Sequence, residues 1–316
     1  MRLLDLFSFS KAALATSPTT QRRASIALGG GGARGVAHLG VMQAIGESGV
    51  HTEQIVGVSM GSLVGAMCAV DQDIHRVQAK AIGLLHSPVF QMNQQMLFGA
   101  ELGTRDEEAS GSYFAWYGRI KKYLAAHRKL SRAVTSPSLM PETAFTAAIE
   151  HLLPDVDLRD RPIPLSIVAV DLLSGHRIVL ESGSLRTAVR ASIAIPGFFP
   201  PVRWGDMLLC DIGVVDSLPT SVAKSYASDL TIGVDVGQEH TTIHECNTAL
   251  DAMTRMQDIG EMMLRRHVME AADLIVRPDV GNVAWFDFSE PERLIEAGRQ
   301  ATHRTLTRLL EERVVA

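Results

Sequence analysis

The chain has 316 residues, of which 46% are hydrophobic and 21% charged, with a formal net charge of −5. Such a length suits one large α/β domain with a sizeable core, and the composition excludes a largely disordered chain. No nucleic-acid partner is expected, because the basic footprint that such binding leaves is absent. Three scattered cysteines, Cys68, Cys210 and Cys246, do not make a disulfide scaffold and favour a reducing, cytoplasmic setting.

In chain order, residues 1–23 read as an N-terminal tail and linker. The apolar group Leu3, Leu4, Leu6, Phe7 and Phe9 faintly resembles a signal segment, but Asp5 and Lys11 interrupt it. A frayed tail is therefore preferred to a signal or an interfacial anchor. The folded domain is expected over 24–316. Its first strand is Ser25–Leu28, followed by a glycine cluster, Gly29–Gly35. Next comes a buried helix carrying Val36, Leu39, Val41, Met42 and Ile45, with Gly49 where a C-terminal glycine belongs.

The run from Ile55 to Val70 is apolar throughout, yet its 16 residues fall short of the roughly 18 to 20 that span a bilayer. It reads as a strand, a sharp turn at Gly57-Val58-Ser59-Met60-Gly61, and a helix. Strand, helix and strand in this order form a right-handed βαβ unit with parallel strands. Both glycine-bearing loops then follow carboxyl ends of neighbouring strands, the edge where open α/β sheets place their ligand crevice.

Residues 87–141 mix Met92, Met96, Met140, Phe90, Phe98, Phe114, Trp116, Tyr113 and Tyr117 with Gly, Ser and charge. The segment reads as an irregular, partly helical, cap-like excursion, with a methionine-padded layer preferred to a lipid-contacting lid. Beyond it, Pro164–Val170 and Arg177–Leu180 suggest a hairpin turning at Ser174-Gly175. Further strands are expected at Met207–Cys210, Leu230–Val236 and Leu274–Arg277. The spacing of Ser289, Pro291 and Glu292 opens a C-terminal helix over about 290–313.

A serine on a strand-to-helix elbow between glycines is the address of a nucleophile, and Ser59 occupies it. A serine hydroxyl needs a base, and a transition state that gains negative charge needs preorganised donors. The cluster Gly30, Gly32 and Gly35 also satisfies the G-x-G-x-x-G dinucleotide fingerprint. That fingerprint predicts an acid at the end of the second strand, where this chain has Val58-Ser59.

For the base, His240, His244 and His267 would suit a Ser-Asp-His order, but none lies in a convincing loop signature. His240, His244 and Cys246 have a loosely metal-like spacing without a clear fourth ligand, so no metal is expected. His38 reads as a helix residue packing near the glycine loop. Asp211, after the strand Met207–Cys210 and ahead of Gly213, is the acid that stands at a strand terminus, where an Asx turn is its plain alternative.

Four ordered segments together resemble one family, the patatin-like phospholipases, in their bacterial and neuropathy-target-esterase-like branch. They are the loop Gly30-Gly31-Gly32-Ala33-Arg34-Gly35, the elbow Gly57-Val58-Ser59-Met60-Gly61, the proline-rich turn within Arg190–Val202, and Asp211-Ile212-Gly213. The resemblance covers about residues 24–237. It implies a three-layer α/β/α sandwich with a mainly parallel central sheet and a lipid acyl hydrolase that uses a Ser-Asp dyad, with no cofactor.

On this resemblance Ser59 is the nucleophile, Asp211 the base, and the amides of Gly30, Gly31 and Gly32 the oxyanion donors, with Arg34 and Met60 supporting the loop or the substrate. The implied partner is a lipid or fatty-acyl ester; peripheral membrane contact and oligomeric state stay open. One departure is Ile212, where the family usually has glycine. An isoleucine cannot take φ > 0 cheaply, which keeps a second reading in play, a lipid-binding protein of the same fold with little or no turnover.

Overall fold

The computed structural model describes residues 22–98, 138, 143–213, 215–238, 242–243 and 245–314. The tail reading lies outside these residues up to residue 21, and at its end it is corrected, since Arg23 already opens the first strand; most of the excursion at 87–141 also lies outside.

Eight strands form one sheet: β1 (Arg23–Leu28), β2 (His51–Val58), β3 (Leu165–Asp171), β4 (Arg177–Leu180), β5 (Val202–Trp204), β6 (Met207–Cys210), β7 (Leu230–Val234) and β8 (Leu274–Val276). Their order is β5-β6-β3-β2-β1-β7-β8, and β4 also pairs with β3. The run β3-β2-β1-β7-β8 is parallel, whereas β4, β5 and β6 join by antiparallel pairing. The sheet is thus mainly parallel, with an antiparallel margin on the side of β3.

The central strands are buried on both faces, as parallel strands flanked by helices are. In β1, Ile26 and Leu28 face the larger core and Ala27 the smaller; in β2, Ile55 joins the larger core and Val56 and Val58 the smaller. Over the larger face lie α1 (Ala37–Glu47), α2 (Met60–Val70), α3 (Ile74–Leu85), α4 (Pro88–Phe98), α5 (Thr143–Leu152), α6 (Leu185–Ser192) and α9 (Pro291–Val314). Over the smaller face, α7 (Thr220–Lys224) and the end of α8 (Ala249–Met269) pack Val222, Ala223, Val268 and Met269 against the sheet. Two helical layers around one sheet make the α/β/α sandwich.

The first loops follow from local chemistry. After β1 the glycine cluster winds through a 3₁₀ turn, Gly32–Val36, directly into α1. Gly49 takes φ +73° one residue beyond the Ser48 cap, the left-handed stop that glycine tolerates best.

Helix α8 inverts the usual arrangement. Its Thr248 cap forms a capping box with Asp251. Asp258 and Arg265 are buried on its inward side, while Met253, Met256, Met263 and Leu264 are exposed on the other. Asp235 lies between Arg265, at 3.5 Å, and Arg277, at 3.4 Å. Arg265 also donates to the Gln238 carbonyl at 2.7 Å, so this inward charge is spent on the loop that follows β7.

Candidate active site

Strand register brings the two candidate catalytic side chains together. Val58 of β2 pairs with Val168 of β3, and two residues further along the same edge of β3 Cys210 of β6 pairs with Val170, while β4 holds the opposite edge at both positions. Because β2 runs parallel and β6 antiparallel to β3, the residues that follow, Ser59 and Asp211, arrive from opposite directions at the same level of β3 and on the same edge. The two side chains therefore leave the sheet end to end, where they can meet.

Ser59 takes φ 53°, ψ −124° at the N-terminus of α2, and it has the one positive φ of any non-glycine residue among the described residues. Such a backbone costs on the order of 1–3 kcal/mol and persists only where the surroundings enforce it. Three contacts do so here. The Ser59 N–H donates to Ser192 Oγ at 3.0 Å, and the Ser59 carbonyl accepts from the Ser62 N–H at 2.9 Å and the Ser62 hydroxyl at 2.7 Å. Ser192 Oγ in turn donates to the Val168 carbonyl at 2.7 Å.

Asp211 is buried; its carboxylate accepts a hydrogen bond from the Gly213 N–H at 2.7 Å, and the Ser59 side chain beside it also favours the charged form. Its own N–H is held by the Ala194 carbonyl at 2.9 Å. Burial is the largest influence on its acidity and outweighs both, so its pKa is pushed up to about 6. The group is thus a carboxylate at neutral pH, and a stronger base than an exposed aspartate. Ile212 has no left-handed backbone to adopt: its φ is not positive, and its side chain is buried with Val58, Val168 and Leu218 in the smaller core.

The glycine loop covers the pair. A Cβ on Gly30 would stand 3.2 Å from the Ser59 Cβ, and Gly32, at φ +56°, would put one 2.1 Å from the Trp285 carbonyl oxygen. These are positions for glycine because backbone passes where a side chain would be. The Gly30 N–H donates to the Ser217 carbonyl at 2.8 Å. That bond is a correction to the three-amide expectation, since a donor engaged with Ser217 is not turned toward Ser59.

Arg34 is buried, and its Nε donates to the Gly31 carbonyl at 3.1 Å. Met60 lies against Gly35, where a Cβ would be 2.4 Å from its Cγ. Both therefore brace the loop.

The histidines stand elsewhere. His267 is exposed and paired with Glu270 at 3.5 Å, while His240 and His244 lie outside the described residues. His38 is fully buried with Nε2 2.8 Å from the Gly29 carbonyl, and burial pulls its pKa down to about 4. Among the described residues no three His, Cys, Asp or Glu side chains could hold a metal ion, and no helix is long and apolar enough to cross a membrane.

Sequence reasoning missed Ser192, Ser217 and the Gly213 amide. Ser192 carried one signal, a small polar residue set between Ala191 and Ile193 at the end of α6.

Comparison with known proteins gives the family. The family model described as patatin-like phospholipase matches residues 26–224. An uncharacterised NTE family protein of Mycobacterium bovis is 31% identical over 225 residues, covering 71% of this chain and 52% of its own length. Human patatin-like phospholipase domain-containing protein 6 is 27% identical over 262 residues, which are 82% of this chain but 16% of that protein. The chain thus spans about half the length of the Mycobacterium relative and far less of the human one. Among solved structures, VipD from Legionella pneumophila aligns with 91% of this chain and 67% of its own, at 16% identity and a TM-score of 0.45.

Proposed function

Since the chain belongs to the patatin-like phospholipase family, whose members are lipid acyl hydrolases, we propose that it hydrolyses carboxylic esters of lipids through Ser59 and Asp211, by way of an acyl-enzyme. The observation that carries this reading is the meeting of Ser59 and the buried Asp211 carboxyl at one level of β3, at a strained elbow under a glycine loop.

The chemistry follows from the placement. Ser59 Oγ attacks the ester carbonyl while Asp211 receives its proton, and the developing oxyanion meets the N–H groups of Gly31 and Gly32. Collapse expels the alcohol, which takes the proton back from Asp211. Water, deprotonated by the same carboxylate, then attacks the acyl-serine, and Ser59 Oγ leaves with that proton from Asp211 as the fatty acid is released. Each N–H aimed at the oxyanion lowers the barrier by roughly 3 kcal/mol in sites of this type. Substrates are glycerolipid-type esters, phospholipid or lysophospholipid, met by peripheral contact with a lipid surface. A reducing cytoplasmic setting goes with the buried, unpaired thiols of Cys68 and Cys210.

A fluorophosphonate probe tests the reading. It should label wild type at Ser59 and leave Ser59→Ala unlabelled, with hydrolysis of short nitrophenyl esters lost in step. Equal ester hydrolysis by both proteins would refute it.

A further inference from the structure

We propose that His38 is the positioning residue of the glycine loop: its Nε2–H, bonded to the Gly29 carbonyl, fixes the Gly29–Gly30 peptide and thereby aims the Gly31 and Gly32 amides at the reacting carbonyl. The inference rests on the acyl-hydrolase reading of that loop, and it gives a role to a histidine that the Ser-Asp chemistry leaves unused.

The residue is costly for packing alone. His38 is the second residue of α1, with no exposed surface, and among the described residues its Nδ1 has no hydrogen-bond partner. A buried polar atom left unpaired costs about 1–3 kcal/mol. The positive end of a helix adds a field that disfavours an imidazolium. Leucine or methionine would remove that unpaired nitrogen but take the side-chain partner from the buried Gly29 carbonyl, an exchange of about equal costs, so the return on histidine lies in where its one hydrogen bond, Nε2 to the Gly29 carbonyl at 2.8 Å, holds that carbonyl. A carbonyl only accepts, which places the proton on Nε2 and leaves Nδ1 bare.

That bond acts at the hinge of the loop. The Gly29 carbonyl and the Gly30 N–H belong to one planar peptide and point in opposite directions. His38 holds the first and the Ser217 carbonyl accepts from the second at 2.8 Å, so the plane is fixed at both ends. Four successive glycines have little conformational preference of their own, so this plane sets the heading of Gly31 and Gly32. Downstream, Arg34 holds the Gly31 carbonyl at 3.1 Å, and the Ala33 N–H donates to the Trp285 carbonyl at 2.5 Å. Upstream, His38 is the side chain that grips the loop. The gripped carbonyl also lies 2.7 Å from where a Cβ on Gly61 would be, so a displaced Gly29–Gly30 peptide would press on the first turn of α2, beside Ser59.

The experiment compares the full chain as wild type, Ser59→Ala, His38→Leu and His38→Gln. Glutamine keeps an N–H donor near the position of Nε2; leucine keeps only the volume. Measured are kcat and KM on a nitrophenyl ester, the fluorophosphonate labelling rate, the melting temperature, and the imidazole ¹⁵N–¹H correlations of wild type. Expected for His38→Leu is a fall of about tenfold or more in kcat and labelling, the size seen when supporting hydrogen bonds around a site are removed. KM should stay within about twofold and the melting temperature should not fall.

His38→Gln should recover most of the rate, and the acid limb of the pH profile should be the same in all active proteins, since His38 moves no proton. In wild type the ring proton should sit on Nε2. Wild-type kcat in His38→Leu, no recovery in His38→Gln, or a proton on Nδ1 would each overturn the inference while labelling of wild type at Ser59 keeps the hydrolase reading intact. An unlabelled wild type, as inactive as Ser59→Ala, would bring down both.

Discussion

The Ser59 N–H and the Ser192 hydroxyl meet at 3.0 Å, and the same hydroxyl donates to the Val168 carbonyl at 2.7 Å. One fully buried serine from α6 therefore serves the backbone of the nucleophile and of the strand beside it. Ser192→Ala leaves an N–H and a carbonyl unpaired in the interior, each costing about 1–3 kcal/mol. The expected result is a stability loss of about 2 kcal/mol or more in urea unfolding, together with slower ester hydrolysis at unchanged KM. Unaltered unfolding would show that the elbow does not lean on Ser192.

Asp211 should tie activity and stability to pH with opposite signs. Its folded pKa, about 6, lies above the ordinary carboxylate value because it is buried. Activity needs the carboxylate, so the rate should rise with an apparent pKa near 6. Between about pH 4 and pH 6 the folded chain holds a proton that the unfolded chain has released, so on this group's account stability falls as pH rises through that window and is level above it.

Asp211→Asn carries no such charge. It should abolish hydrolysis yet match wild-type stability near pH 4 and exceed it at pH 8, by an amount on the order of 2 kcal/mol. Melting curves of both proteins at the two pH values check the sign.

Glycines divide by what surrounds them. A Cβ on Gly61 would lie 2.1 Å from the Leu28 carbonyl oxygen and 2.7 Å from that of Gly29. Gly61→Ala must therefore push α2 away from β1 and should cost several kcal/mol, with little folded protein recovered. Gly83, inside α3, has nothing within 4 Å of the same position. Gly83→Ala should raise stability by about 0.5–1 kcal/mol through helix propensity, a contrast that denaturant midpoints resolve.

Arg265 and Arg277 both reach Asp235, but Arg265 is 9% exposed in its side chain and Arg277 56%. Removing one partner of a buried ion pair costs about 3–5 kcal/mol, whereas an exposed pair contributes about 0–1 kcal/mol. Arg265→Ala should then be far more destabilising than Arg277→Ala. It should also slow hydrolysis, because the same face of α8 bears Glu261, which accepts from the Ser217 hydroxyl at 2.8 Å, and the Ser217 carbonyl holds Gly30.

The sheet, the elbow and the acid at a strand end were legible because each is local: an apolar run, a glycine where backbone must bend, a polar residue at the break. The identity of the oxyanion amides was not. A run of glycines announces exposed N–H groups without saying which way each peptide turns, and that is decided by Ser217 and His38. Ser192 was invisible for another reason, since its partner in the backbone of Ser59 lies 133 residues away in sequence. Helix α8 defeats periodicity outright: a pattern reader buries Met253, Met256 and Met263, whereas the fold exposes them and turns Asp258 and Arg265 inward.

The left-handed backbone of Ser59 has an evolutionary consequence. Alanine keeps the Cβ and so keeps the strain; only glycine relieves it. The substitution that erases the nucleophile most completely is thus also the one that stabilises the chain. Selection for folding alone pulls this position toward glycine, and only selection on the hydroxyl opposes it. A gene copy released from such selection would gain stability by losing this side chain.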